Sequence, residues 1–550
     1  MDLPWRRDYA AVVPPPAPSP APPSRAARLV GMGLVGAVLA AAVGVRLWSA
    51  WHARFSGEEA AFWNTAVGIA RGEAFPALGH SVSGTRALHP GPLFFWIIAA
   101  SQLFVTSPFV GNAAVSLFGL FGALVMARTA GAASGAGPAP SSSGDGAARP
   151  DSPWTVGALL FLLVAVSPWW VVYSNSTWPS YVVTGTAACF VAALWRVAAH
   201  PRSRAIGPLA FILVAGFQLH LSLLHFWPLT LAVLLVTRQR RFNLRWLVAG
   251  TLLAVACYVP YVLSEARTHF ANTRLLLAKS QGGPREARAL LELYLYFLGF
   301  PTTDISYLWQ RGFWQPFDAL KFWGSAGVSQ TTAFFRDIGA TTFLWVVHVL
   351  GWLVSAAALI AGAARLVAGW RRGVRRPDAA TTLYLVALLD IALFYVLSGK
   401  GGYAHYVGVL LPIAYVPVAA LLAWVARSRA GRLAVAAYLA VFSLAGVLVM
   451  SGYYRVDSRL SAPQSDRVVG FVLAHARGPD GQIEPAALQF EFSPAWIYPY
   501  QVLARRQHHQ ALVLGGPARH RFVVGVRAPG APVSNAPDRL ELETIFVAGR

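Results

Sequence analysis

The chain has 550 residues, of which 56% are hydrophobic and only 12% charged, where soluble domains carry about 25% charged residues. Together with 20 Trp and 31 Phe, this excludes an ordinary soluble domain and defines a polytopic membrane protein with aromatic residues for its interfaces. A formal net charge of +22 would suit nucleic acid, but the arginines stand in short clusters between apolar runs; membrane topology accounts for them, and no nucleic-acid partner is expected.

Residues 1–28 include PPPAPSPAPP and four arginines. Such a tail cannot bury a core and is expected to be disordered and cytoplasmic. Leu29–Ala50 is too long for the apolar core of a signal peptide and reads as an uncleaved first span. Further apolar runs lie near 91–106, 109–127, 154–172, 180–198, 205–219, 221–236, 246–264, 339–361, 380–398, 404–426 and 431–450. Basic clusters at Arg25/Arg28, Arg196/Arg202/Arg204, Arg238/Arg240/Arg241/Arg245, Arg365/Arg371/Arg372/Arg375/Arg376 and Arg427/Arg429/Arg432 are taken as cytoplasmic. The N-terminus is then inside and the C-terminus outside, which demands an odd number of crossings. Run 91–106 is the weakest of the twelve, being short, bounded by prolines and free of basic flanks. It is expected to lie along the outer surface or dip in, leaving about eleven crossings within 29–450.

This orientation makes 51–108 the first outer loop, 131–152 a flexible cytoplasmic linker and 265–338 a long outer loop. After Met450 the pattern changes. Ser465–Ala476 reads as a helix, and Ala487–Phe492, Ala511–Leu514, Arg521–Val526 and Leu540–Val547 read as short strands. The fold class is therefore an all-α polytopic membrane protein with a small extracytoplasmic α/β domain over 451–550. Cys189 and Cys257 both sit in apolar runs and offer neither a disulfide framework nor metal-ligand spacing. The adjacent His508 and His509 are weak evidence for metal.

The outer loop 54–96 carries the chemistry. It opens on Glu58-Glu59 at the start of a helical pattern over Ala60–Ala70 and closes on His89-Pro90-Gly91-Pro92. Neighbouring residues on a helix point about 100° apart, so only one of the two acids can face a site. The plain structural role for the other is a first-turn acid on the helix dipole.

A helix, an outer loop opening on an acidic pair, Ala70-Arg71-Gly72, and His89-Pro90-Gly91-Pro92-Leu93 before an aromatic-rich helix together resemble the membrane-embedded glycosyltransferases of the GT-C class. Within that class the likeness is to family 39, which holds the protein O-mannosyltransferases, and to the lipid A aminoarabinose transferases. The resemblance implies transfer of a sugar from a polyprenyl-phosphate carrier to an acceptor hydroxyl on the outer face. It implies Glu58 as general base, with Glu59 as neighbour or substitute, and a surface-lying helix after the Pro turn. The chain departs from the family at three points. Glu58 stands where aspartate is usual, Tyr173–Ser180 contains no carboxylate where relatives often carry a second aspartate, and Pro-Gly-Pro-Leu replaces Pro-Pro-Leu. Asn175 is the residue there that can supply a hydrogen bond instead.

Other candidates for substrate binding follow the outer ends of apolar runs. His89 closes the loop. His220 and His225 in QLHLSLLHFWP stand at an outer turn, where histidine near a bilayer suggests function as readily as a plain backbone hydrogen bond. Lys400, His405 and Tyr406 in GKGGYAHYVGVLLP combine a point charge with a glycine pair that lets backbone N–H groups approach a phosphate. Asp304 in GFPTTDISYLW is a second candidate acid, set against the ordinary use of aspartate in turns. A divalent metal is compatible with this chemistry and not required by the sequence. The expected partners are the lipid-linked donor, a lipid, glycan or protein acceptor, and the bilayer. The competing function is a transporter or flippase for a lipid-linked glycan, which internal repeats and mid-helix ionisable groups would mark. No repeat is visible, and Asp390 is the one conspicuous mid-helix acid. A third reading is a non-catalytic assembly protein.

Overall fold

Apolar run length sets the helices, and prolines set their breaks. The computed structural model describes residues 25–82, 86–135, 155–278, 290, 294, 297–299, 338–372, 378–398, 408–457, 461–490, 498–510, 512, 520–526, 539–542 and 545–549. Most of the tail 1–28, of the linker 131–152 and of the loop 265–338 therefore lies outside the described residues. In chain order come α1 (Arg25–His52), α2 (Gly57–Ala70), α3 (Leu93–Gln102), α4 (Pro108–Gly135), α5 (Val156–Val166), α6 (Pro168–Val172) and α7 (Pro179–Ala199). There follow α8 (Ile206–Ala215), α9 (Phe226–Thr237), α10 (Leu244–Ala256), α11 (Val259–Arg267), α12 (Ala271–Leu277), α13 (Thr341–Arg371), α14 (Ala379–Ser398), α15 (Leu411–Val425) and α16 (Arg429–Asp457).

Among the described residues six helices are long and apolar enough to cross a membrane, or seven if the pair α10 and α11, bent by 42°, is one span. The chain is a multi-pass membrane protein. Leu252, Leu353, Ile360 and Leu433 are each more than 60% exposed on these helices, as side chains facing lipid are. Helix α3 has 10 residues, about 15 Å, and is too short to span. Leu103 and Phe104 just beyond it are exposed. The run 154–172 is broken where Ser167 caps α6, its Oγ accepting from Trp170 N at 3.1 Å, and Pro168 removes an N–H. The runs 205–219 and 221–236 yield only short helices joined by 3-10 turns at 216–218 and 221–225. Helices α4 and α7 pack closely because Gly122 meets Gly185; a Cβ on Gly122 would lie 2.6 Å from the Gly185 carbonyl oxygen.

The C-terminal unit contains α17 (Ala462–His475), β1 (Ala486–Phe490), α18 (Tyr498–Gln507), β2 (His520–Val526), β3 (Arg539–Glu541) and β4 (Ile545–Gly549). Its sheet has the order β1-β2-β4-β3. Strands β1 and β2 are parallel across α18, and the other pairs are antiparallel. The single strand expected over Leu540–Val547 is in fact a hairpin, β3 paired with β4.

Helix α2 joins this unit to the bundle. Phe55, Ala60, Trp63 and Val67 share one core with Val468, Val472, Leu503, Phe522 and Val524. Ala66 and the partly buried Phe62, on other faces, pack with Phe94 and Phe95 in the core of the membrane bundle. Trp63 Nε1 donates to Gln102 Oε1 at 2.9 Å. From α18, Arg506 donates to Asn64 Oδ1 and to Glu73 Oε2, each at 2.7 Å, and the second contact holds the Glu73 carboxyl below the usual carboxylate range.

Candidate active site

The two adjacent acids do different work. Glu59, 8% exposed, turns back so that its Oε2 accepts from Ser56 N at 3.0 Å and from the Ser56 hydroxyl. Ser56-Gly57-Glu58-Glu59 thus supplies the reciprocal arm of a capping box. Burial pushes the Glu59 carboxyl above its ordinary range, and the Ser56 hydrogen bond pulls the other way. Glu58, one step round the helix, is exposed. Its Oε2 accepts a hydrogen bond from Trp178 Nε1 at 3.0 Å.

Trp178 is the residue before α7, and the segment that delivers it is pinned from three helices. Arg46 on α1, fully buried, donates to Ser174 Oγ at 2.9 Å and to the Trp170 carbonyl at 2.7 Å. Asn112 on α4 accepts from Thr177 N at 3.0 Å. Asn175 donates through Nδ2 to Tyr454 Oη on α16 at 2.5 Å, and that hydroxyl also meets Ser49 Oγ. The Asn175 amide is therefore engaged in tying α1, α7 and α16 together.

The loop 79–91 folds back on itself. His89 N donates to the His80 carbonyl at 2.8 Å, Gly79 N donates to the His89 carbonyl at 2.9 Å, and Ser81 bridges Leu88. Gly91 has φ +130°, and a Cβ there would meet Gln218 Oε1 at 2.3 Å, so glycine is demanded twice. Asn272 on α12 clamps Leu88 from both sides, accepting from its N at 2.7 Å and donating to its carbonyl at 2.9 Å. Glu265 caps α12 by accepting from Thr273 N at 2.6 Å.

The result is a row of imidazoles. The His80 and His89 rings stack with centroids 4.1 Å apart, and His220 stacks beyond His89 at 6.3 Å. His89 Nδ1 lies 3.0 Å from the Phe217 carbonyl, so that nitrogen carries the proton and Nε2 keeps its lone pair. His220 Nδ1 accepts from Ser222 N at 3.2 Å, so its Nε2 carries the proton and donates to Ser180 Oγ at 3.2 Å. Trp178 and Ser180 thus connect Glu58 and the histidine row at the start of one helix.

Burial drives His80 well below its ordinary pKa, with His89 and His220 adding to the shift. Burial takes His89 from 6.5 to about 4. Unfolded, both would bind a proton on acidification that the folded loop refuses. Stability is therefore complete above pH 6.5 and is lost as pH falls from 6.5 towards 4. His89→Phe is expected to flatten part of that acid slope, read as the thermal midpoint of purified protein against pH; an unchanged slope would remove His89 as its source.

His225 lies apart from this row. Its Nδ1 is 2.6 Å from Asp390 Oδ2 on α14, with both side chains buried. Asp304, Lys400, His405 and Tyr406 lie outside the described residues. His508 meets Asp466 at 3.0 Å in the C-terminal unit. Among the described residues no group of three His, Cys, Asp or Glu could hold a metal ion. Trp178, Ser180 and His80 escaped the sequence reading, because only the fold brings them to Glu58 and His89.

The helical membrane bundle, with α2 and the short α3 packed on it and the C-terminal unit joined through α2, has a GT-C-like fold shared with a solved structure. ArnT from Cupriavidus metallidurans, a lipid A aminoarabinose transferase, shares it in the structure solved bound to undecaprenyl phosphate, with a TM-score of 0.50 and 13% identity over 94% of this chain and 98% of that one. The apo structure of the same protein gives the same TM-score, identity and coverage. No protein-family model matches the chain, and no curated protein sequence does.

Proposed function

We propose that this protein is a membrane glycosyltransferase that moves a sugar from a polyprenyl-phosphate-linked donor to an acceptor hydroxyl on the outer face of the membrane, with Glu58 as general base. One observation carries the assignment of the base: Glu59 is consumed in the helix cap, while Glu58 is exposed and oriented by Trp178 Nε1. The ArnT likeness supports the class of donor. In the proposed step the acceptor oxygen attacks the anomeric carbon and its proton passes to the Glu58 carboxylate. The bond from that carbon to the phosphate oxygen breaks, and polyprenyl phosphate leaves. His80 and His89 are held neutral by burial, so they offer hydrogen bonds and no charge to the departing phosphate. This supports assigning that charge to Lys400 beside Gly401-Gly402. The same reading has about eleven crossings, a cytoplasmic N-terminus and an extracytoplasmic unit over 451–550, and leaves lipid, glycan and protein open as acceptors.

The transporter reading rests on the buried His225–Asp390 pair, because ionisable groups inside a bundle mark transport paths. A detergent assay separates the two, since detergent abolishes sidedness. Lipid extract from cells lacking this protein holds whatever donor accumulates. Incubated with the purified protein and acceptor membranes, it is expected to lose lipid-linked sugar and release polyprenyl phosphate. A donor that stays intact under those conditions removes the transferase and leaves the transporter.

A further inference from the structure

The end of α7 remote from Glu58 holds a cavity that this chemistry does not use. It is a half-open cavity of about 330 Å³ between α4 and α7, lined by Thr129, Ala133, Trp195, Arg196, His200 and Ser203 among others. Arg196 lies ~24 Å along the helix axis from Ser180 at 1.5 Å per residue, which places the cavity at the opposite membrane face. Arg196 is half-buried, and its Nε donates to Thr129 Oγ1 at 3.0 Å, while that hydroxyl donates onward to the Val125 carbonyl at 2.9 Å. This bond spends one donor and orients the guanidinium. No carboxylate lines the cavity, and Arg196 has no acidic partner among the described residues. His200, the residue that ends α7, also lines it.

An arginine kept only for topology would extend its head into open water. Here the head is tethered inside a cavity whose other walls are Ala132, Ala133, Trp195 and Ala199. A cation with the Ser203 hydroxyl beside it and apolar walls on the other side fits a phosphate oxyanion that carries hydrocarbon. We propose that this cavity binds the headgroup phosphate of an anionic phospholipid from the leaflet opposite Glu58. The proposal stands independently of the transferase reading.

A free phosphate shares the oxyanion chemistry, so the experiment includes it. Full-length protein in detergent is titrated with phosphatidylglycerol, phosphatidylcholine or inorganic phosphate, and bound lipid is counted by native mass spectrometry. One phosphatidylglycerol is expected to be retained in preference to phosphatidylcholine, and inorganic phosphate is not expected to displace it. Arg196→Gln is expected to weaken that binding about tenfold, the loss of one charge-assisted hydrogen bond. Ala133→Trp, which keeps the charge and fills the space, is expected to weaken it as much. Equal titrations in all three proteins would mean annular lipid only and overturn the proposal. Displacement by inorganic phosphate would overturn it in favour of a free-anion site.

Discussion

Glu58→Gln is expected to lower the rate of sugar transfer by about 10²–10⁴-fold, the usual contribution of a positioned base, with protein level and thermal midpoint unchanged. The amide is isosteric and its oxygen still accepts from Trp178 Nε1, so the helix start keeps its shape; what disappears is the ability to take a proton. Glu59→Gln should behave in the opposite way. Its side chain accepts from Ser56 N and Ser56 Oγ in the cap, and an amide carries that role with little loss, so transfer persists. Glu59→Ala should cost about 1 kcal/mol of stability as a lost cap does, again with transfer retained. Transfer by the Glu58→Gln protein at the wild-type rate, measured as label moved from lipid-linked donor to acceptor, would sink the assignment of the base.

Asp390→Leu is expected to destabilise the bundle by about 3 kcal/mol, because it removes the buried hydrogen bond at His225 Nδ1. The pair joins the start of α9 to the middle of α14, and its Nδ1–Oδ2 distance is 2.6 Å. His225→Leu should be comparably damaging. The double variant is expected to recover much of the loss, since removing both polar partners together leaves neither one unpaired. The measurement is the unfolding midpoint in detergent across the four proteins. Additive losses in the double variant would show that the two side chains are not energetically coupled.

How much of this was legible in the sequence depends on distance along the chain. Helix positions followed from apolar length, a local property, and α2 begins within three residues of the expected Ala60. Ser56-Gly57-Glu58-Glu59 even carries the S-x-x-E spacing of a capping box, so the structural role of Glu59 could have been preferred. The bond from Trp178 to Glu58 joins residues 120 apart, and the one from His225 to Asp390 joins residues 165 apart. No periodicity encodes either. His225 and Asp390 each drew notice as polar groups in apolar surroundings, yet their pairing needed the packing of α9 on α14. His80 passed unremarked because its stacking on His89 depends on the pairing of Ser81 with Leu88 and of His80 with His89, which no local pattern encodes. Helix α18 was missed because YPYQVLARRQ is too polar to register as an apolar run.

The double burial of α2 has a consequence for biosynthesis. Its Trp63 face waits for partners such as Val468 and Phe522, which leave the ribosome some 400 residues later, roughly 20–80 s at ordinary elongation rates. For that interval a newborn chain presents an uncovered indole and its apolar neighbours, a natural handle for a chaperone. Nascent chains arrested before residue 462 should accordingly be far more protease-sensitive between α1 and α3 than the finished protein.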